Sequence, residues 1–274
     1  MRIWLDGALQ EAGRARVSVF DHGLTVGDGV FETVKAEGGR AFALTRHLER
    51  LAHSARGLGL PEPDLDEVRR GCAAVLDANP MALGRLRITY TGGESPLGSD
   101  RGDAPATLLI AVGEATRRPD TTAAVTVPWT RNERGALTGL KTTSYGENVV
   151  ALARARERGA SEALFGNTVG ALCEGTGSNV FVVLDGELHT PPLTSGCLAG
   201  ITRALTVAWA GAKETDLPLD ALESAEEIFL TSTLRDVQAV TRVDDRQLGD
   251  APGPVTRAAM CAFDAGAAAD FDPR

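Results

Sequence analysis

Strand signals come in runs along this chain, and helical stretches interrupt them without a strict β–α alternation. That order argues against a doubly wound parallel sheet and predicts an α+β fold. Residues 29–35 (GVFETVK) alternate and are rich in β-formers, and the turn at 37–40 (EGGR) leads into a second short strand at 41–44. Thr45 is the expected N-cap of a helix with Leu48, Leu51, Ala52 and Ala55 on its apolar face, ended by Gly57 and Gly59. A second helix starts near Asp64, with Glu67 three residues on as in a capping box, and stops before Pro80. Strands are predicted at 85–91 and 107–112.

The polar, proline-containing segment 114–121 (EATRRPDT) reads as a linker. It divides the chain into a small domain, 1–113, and a larger one, 122–274. The larger one is predicted to hold a strand at 123–129, a helix from about 146 to 158 and a strand at 162–165. A hairpin follows, with Asp185-Gly186 joining 180–184 to 187–189. Beyond it come a helix opening at Ile201-Thr202, an acidic helix, a strand at 228–230, a further strand pair and a last helix.

Composition narrows the function. The 274 residues are 43% hydrophobic and 24% charged, enough apolar content for a buried core. A net charge of -9 argues against nucleic acid or an anionic membrane as the main partner. No apolar run has the length of a membrane span, and the first residues lack the apolar core of a signal peptide, so a cytoplasmic location is expected. Cys72, Cys173, Cys197 and Cys261 form no C-x-x-C pair and share no zinc-ligand spacing with His22, His47, His53 and His189. Scattered buried or half-buried thiols are expected and no metal site. Lys35, Lys141 and Lys213 are the only lysines beside 25 arginines (28 basic residues less three).

Phosphate-loop, dinucleotide, zinc-protease and nucleophile-elbow motifs are absent. Four other segments stand out in order. The first is residues 21–32 (DHGLTVGDGVFE), followed by 44–47 (LTRH). The second is 140–148 (LKTTSYGEN). The third is 173–181 (CEGTGSNVF), running into 190–193 (TPPL) and 200–203 (GITR). The fourth is 229–237 (FLTSTLRDV).

Together these resemble the class IV aminotransferase family, the fold type IV enzymes that use pyridoxal 5'-phosphate. The family includes branched-chain aminotransferases, D-amino-acid aminotransferases and aminodeoxychorismate lyases. The resemblance runs from residue 1 to about 240. It implies a two-domain α+β fold, amino acid and 2-oxo acid substrates, and a homodimer.

The resemblance also implies roles. Lys141 would hold the cofactor as a Schiff base and carry the substrate α-proton. Glu174 would partner the pyridine nitrogen, which must stay protonated for the ring to draw electrons, and Tyr145 would bond the ring hydroxyl. Ile201 and Thr202, opening a helix after Gly200, suit a phosphate dianion, and Thr233 would add a second contact. Ser178, Asn179 and Ser232 are further expected cofactor neighbours. Arg46 would be the phosphate arginine, and a bound anion would account for a cation at a helix start. His47 is taken as structural.

The run GDGVFE is closer to D-amino-acid aminotransferases and lyases than to branched-chain enzymes, so a D-amino acid donor is expected. Aminodeoxychorismate lyase and branched-chain aminotransferase are the alternatives. Phe31 stands where the D-amino-acid type has tyrosine. The loop 94–101 (ESPLGSDR) has no histidine, so that type's carboxylate trap is not intact. Arg101 and Arg235 are candidate carboxylate binders in its stead, with the turn amides near Thr233 and Leu234 as another possibility.

Overall fold

Two sheets, each with its own core, follow from the two runs of strands. A computed structural model describes residues 1–274. One unit comprises Met1–Arg117, Leu140–Tyr145 and Phe271–Arg274; the other comprises Arg118–Gly139 and Gly146–Asp270. The short stretches at 140–145 and 271–274 thus pack with the first unit, which a single linker at 114–121 did not foretell.

The first unit contains β1 (Arg2–Leu5), β2 (Ala8–Glu11), α1 (His22–Thr25), β3 (Gly29–Glu37), β4 (Arg40–Ala41), α2 (Leu44–Leu58), α3 (Leu65–Ala78), β5 (Leu83–Thr91) and β6 (Thr107–Glu114). Its six strands form an antiparallel sheet in the order β2-β1-β6-β5-β3-β4. Val30, Val34 and Ala36 of β3 join Leu86, Ile88 and Tyr90 of β5 in one core with Leu48, Leu51 and Ala55 of α2 and Val68, Cys72 and Val75 of α3. Side chains alternate across a strand, so Phe31 and Arg87 project from the sheet face opposite the helices.

Glu32 lies on the helix side and is fully buried. Its carboxylate accepts from His47 Nδ1 at 2.7 Å and from Arg50 Nε and Nη2 at 2.8 and 2.7 Å. Burial pushes the Glu32 carboxyl up, but Arg50 and His47 outweigh it and hold the pKa at about 2. Burial pushes His47 down, and the neighbouring carboxylate offsets this only in part. His47 is therefore structural in the sense that it ties α2 to β3.

The two helix starts differ from each other. Asp64 caps α3 as its sequence suggests, accepting from the backbone of Asp66 and Glu67 at 2.9 and 3.1 Å. Thr45 does not cap α2. That helix begins at Leu44 after Ala43, which has φ 51° and no side-chain cap bond. Thr45 lies inside the first turn and bonds to Asp272 instead.

The second unit contains β7 (Thr121–Arg131), α4 (Gly146–Glu157), β8 (Glu162–Asn167), β9 (Leu172–Gly175), β10 (Asn179–Leu184), β11 (Glu187–Thr190), α5 (Ile201–Ala210), β12 (Lys213–Glu214), α6 (Ala221–Ser224), β13 (Glu227–Ser232), β14 (Asp236–Val243), β15 (Arg246–Gln247) and α7 (Pro254–Ala269). The acidic helix is only the single turn α6. The mixed sheet runs β12-β11-β10-β13-β14-β7-β8-β9, with β15 on β14. Helix α7 is capped by the Glu227 carboxylate, which accepts from the backbone of Val255 and Thr256 at 3.0 and 2.7 Å. Cys261 on α7 is exposed, while the other three cysteines are buried. No helix is long and apolar enough to cross a membrane.

Asp185 and Gly186 join β10 to β11 in a two-residue turn with φ of 50° and 75°. Gly186→Val is expected to lower unfolding stability by about 1–3 kcal/mol, because a β-branched residue is strained at positive φ. Gly186→Asn should cost far less, and urea unfolding of the two variants checks this.

A second expectation concerns pH. The unfolded chain protonates His47 near its ordinary value of 6.5, whereas the folded chain does so only at lower pH. The stabilising contribution of neutral His47 is therefore present above pH 6.5 and lost as pH falls below it. The stability gap between the protein and His47→Gln should shrink on acidification from about pH 7 to about pH 5. A gap that widened would reverse the sign.

Candidate active site

The segment carrying Lys141 is held to β3 by backbone. Phe31 N–H donates to the Lys141 carbonyl at 2.9 Å, and Thr143 N–H donates to that of Gly29 at 2.8 Å. Lys141 N–H donates to Ser54 Oγ of α2 at 3.1 Å. The lysine is thus fixed at its backbone from two sides while its side chain remains half-buried. Lys141 Nζ lies 3.4 Å from the Tyr145 hydroxyl and 4.5 Å from the centre of the Phe31 ring. Phe31 and Tyr145 meet edge to face at 5.0 Å. Arg87, from the same face of β5, stacks on Phe31 with its guanidinium carbon 3.3 Å from the ring centre.

Arg87 was missed in the sequence, although an arginine within an alternating apolar strand is a signal. It has one hydrogen bond, to Thr89 Oγ1 at 3.3 Å, and no carboxylate within ion-pair distance. Burial lowers its pKa to about 10.

The first unit also separates two arginines of α2. Arg46 donates Nε–H to the Pro273 carbonyl at 3.0 Å. Arg50, one turn on, belongs to the Glu32–His47 group, and the charge of Lys141 is felt at His47.

In the second unit Glu174 ends β9. Arg131 Nε donates to its Oε1 at 3.1 Å, and the Leu198 N–H donates to its Oε2 at 2.9 Å. Arg131 also pairs with Glu147 at 2.7 Å and stacks on Phe165. This bracing fixes the Glu174 carboxylate in direction. Arg131, too, was missed in the sequence.

Helix α5 opens after Gly200 with no side-chain cap, so its first-turn N–H groups lack partners within the helix. A side chain at Gly200 would collide with Asn179 Oδ1, so the turn needs glycine for close approach. Asn179 Nδ2 donates to the Leu198 carbonyl at 2.9 Å, which links this turn to the Glu174 side. Ser178 Oγ instead turns into the protein and donates to buried Glu162 at 2.8 Å. Ser232 ends β13, Thr233 and Leu234 lie in the turn that follows, and all three are half-buried.

The two arginines offered as carboxylate binders are already engaged. Arg101 grips Asp28 with Nε and Nη2 at 2.7 and 2.6 Å and donates to the carbonyls of Leu58 and Gly59. Arg235 is buried against Glu162, Gln238 and Ser161. Neither is available to a substrate without breaking protein contacts.

Comparison with known proteins identifies the family. The family model for class IV amino-transferases matches residues 29–243. A branched-chain-amino-acid aminotransferase of Pseudomonas aeruginosa is 31% identical, covering 95% of this chain and 91% of its own. A bifunctional aminodeoxychorismate lyase and D-amino acid transaminase of Mycobacterium tuberculosis is also 31% identical, covering 92% and 94%. Among solved structures, the branched-chain amino acid aminotransferase of Escherichia coli superposes with a TM-score of 0.90 at 28% identity, covering 96% of this chain and 93% of the other. A lysine fixed at its backbone, a braced glutamate and an uncapped helix start thus lie within a chain matched over most of its length, and the chain belongs to the class IV aminotransferase family.

Proposed function

We propose that this aminotransferase moves an amino group from an aliphatic amino acid to a 2-oxo acid with pyridoxal phosphate bound to Lys141. The residues present fit that cofactor. Glu174 is a carboxyl acceptor suited to a protonated ring nitrogen, and Tyr145 is a hydroxyl beside the lysine. The open first turn of α5, at Ile201 and Thr202, suits a phosphate dianion, with Thr233 and Ser232 as further hydrogen-bonding groups. Arg50 is assigned as the phosphate arginine in place of Arg46: Arg46 is turned to Pro273, whereas Arg50, although its fork also holds Glu32, lies on the α2 face that carries the Lys141 backbone through Ser54.

Once bound, the cofactor supplies the electron sink that makes the substrate α-hydrogen acidic. The protein supplies the rest. Lys141 Nζ would take that proton from the α-carbon and give it up at the carbon on the other side of the C–N bond, which is what moves the amino group, with the Tyr145 hydroxyl in reach to hold the amine in position. The Arg131–Glu174 pair holds the acidic partner in place. Phe31 offers an apolar face and Arg87 a two-pronged cation, so one place can take an aliphatic side chain or a carboxylate.

The observation that carries the substrate class is Arg87. A half-buried guanidinium without a carboxylate gains most when an anion arrives. The D-donor expectation came from the run 27–32 (GDGVFE); the two arginines offered beside it as carboxylate binders are engaged, and Arg87 suits either hand. With branched-chain enzymes among the relatives, we assign an L-aliphatic donor and a dicarboxylic acceptor.

The purified protein with pyridoxal phosphate is tested against L-leucine, L-glutamate, D-alanine and D-glutamate, following loss of visible absorbance and appearance of oxo acid. L-Leucine and L-glutamate should react. Reaction with the D-amino acids alone would restore the D-specific reading. Release of pyruvate and aminobenzoate from aminodeoxychorismate, with no amino acid reacting, would establish the lyase.

Lys141→Ala should abolish both visible absorbance and turnover. Glu174→Gln should retain cofactor and lose kcat more than affinity. Arg87→Leu should raise KM for 2-oxoglutarate by about ten- to a hundredfold, the loss of one charge-assisted contact, with unchanged cofactor absorbance. An unchanged KM would remove Arg87 from the substrate site.

A further inference from the structure

We infer that residues 271–274 position the lysine-bearing half of the site, and that Asp272 is the residue through which they act. The inference rests on the cofactor roles proposed for Lys141 and Arg50.

Helix α2 lacks a cap of its own, since Ala43 has no side chain able to accept a hydrogen bond. Asp272 supplies one from the far end of the sequence. Its Oδ1 accepts from Thr45 N–H at 2.8 Å and its Oδ2 from Thr45 Oγ1 at 2.6 Å. A carboxylate also suits the positive end of a helix. Arg69 lies 4.0 Å from this carboxylate and donates to Thr45 Oγ1 at 3.1 Å, completing a small polar group.

Neighbouring contacts fix the tetrapeptide. The Phe271 carbonyl accepts from Ala43 N–H at 2.9 Å. The Phe271 ring meets Phe42 edge to face at 5.4 Å, and the Arg40 guanidinium lies 4.3 Å from its centre. The Pro273 carbonyl accepts from Arg46 Nε at 3.0 Å. Every residue from Arg40 to Arg46 that could anchor the start of α2 through a ring or a cation is engaged with this segment or with Asp272 by one of these contacts, apart from the apolar Ala41, Ala43 and Leu44 side chains.

The same helix then presents His47, Arg50 and Ser54 at spacings of three and four, on one face. His47 and Arg50 hold Glu32, and Ser54 accepts the Lys141 N–H. An uncapped first turn frays, loosening His47 first and Arg50 next. Phosphate binding must then re-form the turn, and affinity falls by the fraction of molecules in which it is already formed. Asp272 is therefore a positioning residue.

The test compares the protein with Asp272→Ala, Asp272→Asn and a chain ended after Asp270. Each is stripped of cofactor and titrated with pyridoxal phosphate and, separately, with pyridoxal, which lacks the phosphate. Visible absorbance reports binding, and melting temperature is recorded in parallel. Asp272→Ala should bind pyridoxal phosphate more weakly, by up to about fivefold, the size of one lost helix cap. Pyridoxal affinity should change less. Asp272→Asn should recover most of the loss, because its amide oxygen can still accept from Thr45 N–H. The shortened chain should lose at least as much as Asp272→Ala; if it fails to fold, the two point variants decide.

A lower melting temperature with unchanged pyridoxal phosphate affinity would overturn the inference. Equal losses for pyridoxal phosphate and pyridoxal would also overturn it, by excluding the route through Arg50. If the unaltered protein itself binds no pyridoxal phosphate, the proposed function fails. If it binds normally and the variants do too, only the positioning role fails.

Discussion

The carboxylate of Glu32 sits with no access to solvent beneath α2, and much of the first unit is arranged to satisfy it. An isolated buried carboxylate is costly, and one cation without exact geometry would not repay its desolvation. Here the Arg50 fork takes both oxygens and His47 adds a third bond. That arrangement fixes the rotation of α2 over β3. It also places Ser54, one turn beyond Arg50, where it receives the Lys141 backbone. The charged group and the lysine are therefore set by one helix in one orientation.

Both ends of that helix are secured from elsewhere in the first unit. Asp272 accepts at its start, and Arg101 donates to the carbonyls of Leu58 and Gly59 at its end. These partners match the sign of the helix dipole at each end. The second unit follows a different logic. Glu174 is held rigid by Arg131 and a backbone amide, while the start of α5 is left without a side-chain cap. One group is neutralised in advance and the other is left open, which is the contrast expected of a site for a ligand with both a protonated ring and a phosphate.

The proposed specificity turns on which arginine lacks an acid. Arg46, Arg101 and Arg235 have protein partners, and their charge is directed to structure. Arg87 rests on an aromatic face with a single hydroxyl partner. An arginine is a substrate-binding group through its surroundings, and its presence in a motif-bearing loop says little without them.

Local chemistry made several features legible in the sequence. Asp185-Gly186 demanded a positive-φ hairpin turn, Asp64 carried its own cap, and the alternation of β3 and β5 sorted core residues from Phe31. The order of strand and helix signals was enough for an α+β fold, and the segments around Lys141, Glu174 and Ile201 for the family. Other features depended on partners distant in sequence. Thr45 has the chemistry of an N-cap, yet its hydrogen bonds go to a residue 227 positions away, and Arg46 is turned aside by the same segment. Whether Arg50, Arg87, Arg101 or Arg235 is committed depends on the packing of strands and loops far apart in the chain. The sequence determined the elements and the residues capable of the chemistry, because those rest on short-range propensity and side-chain type. Only the tertiary structure decided which charges were paired with an acid and which were not, because pairing is settled by distances that no local pattern contains.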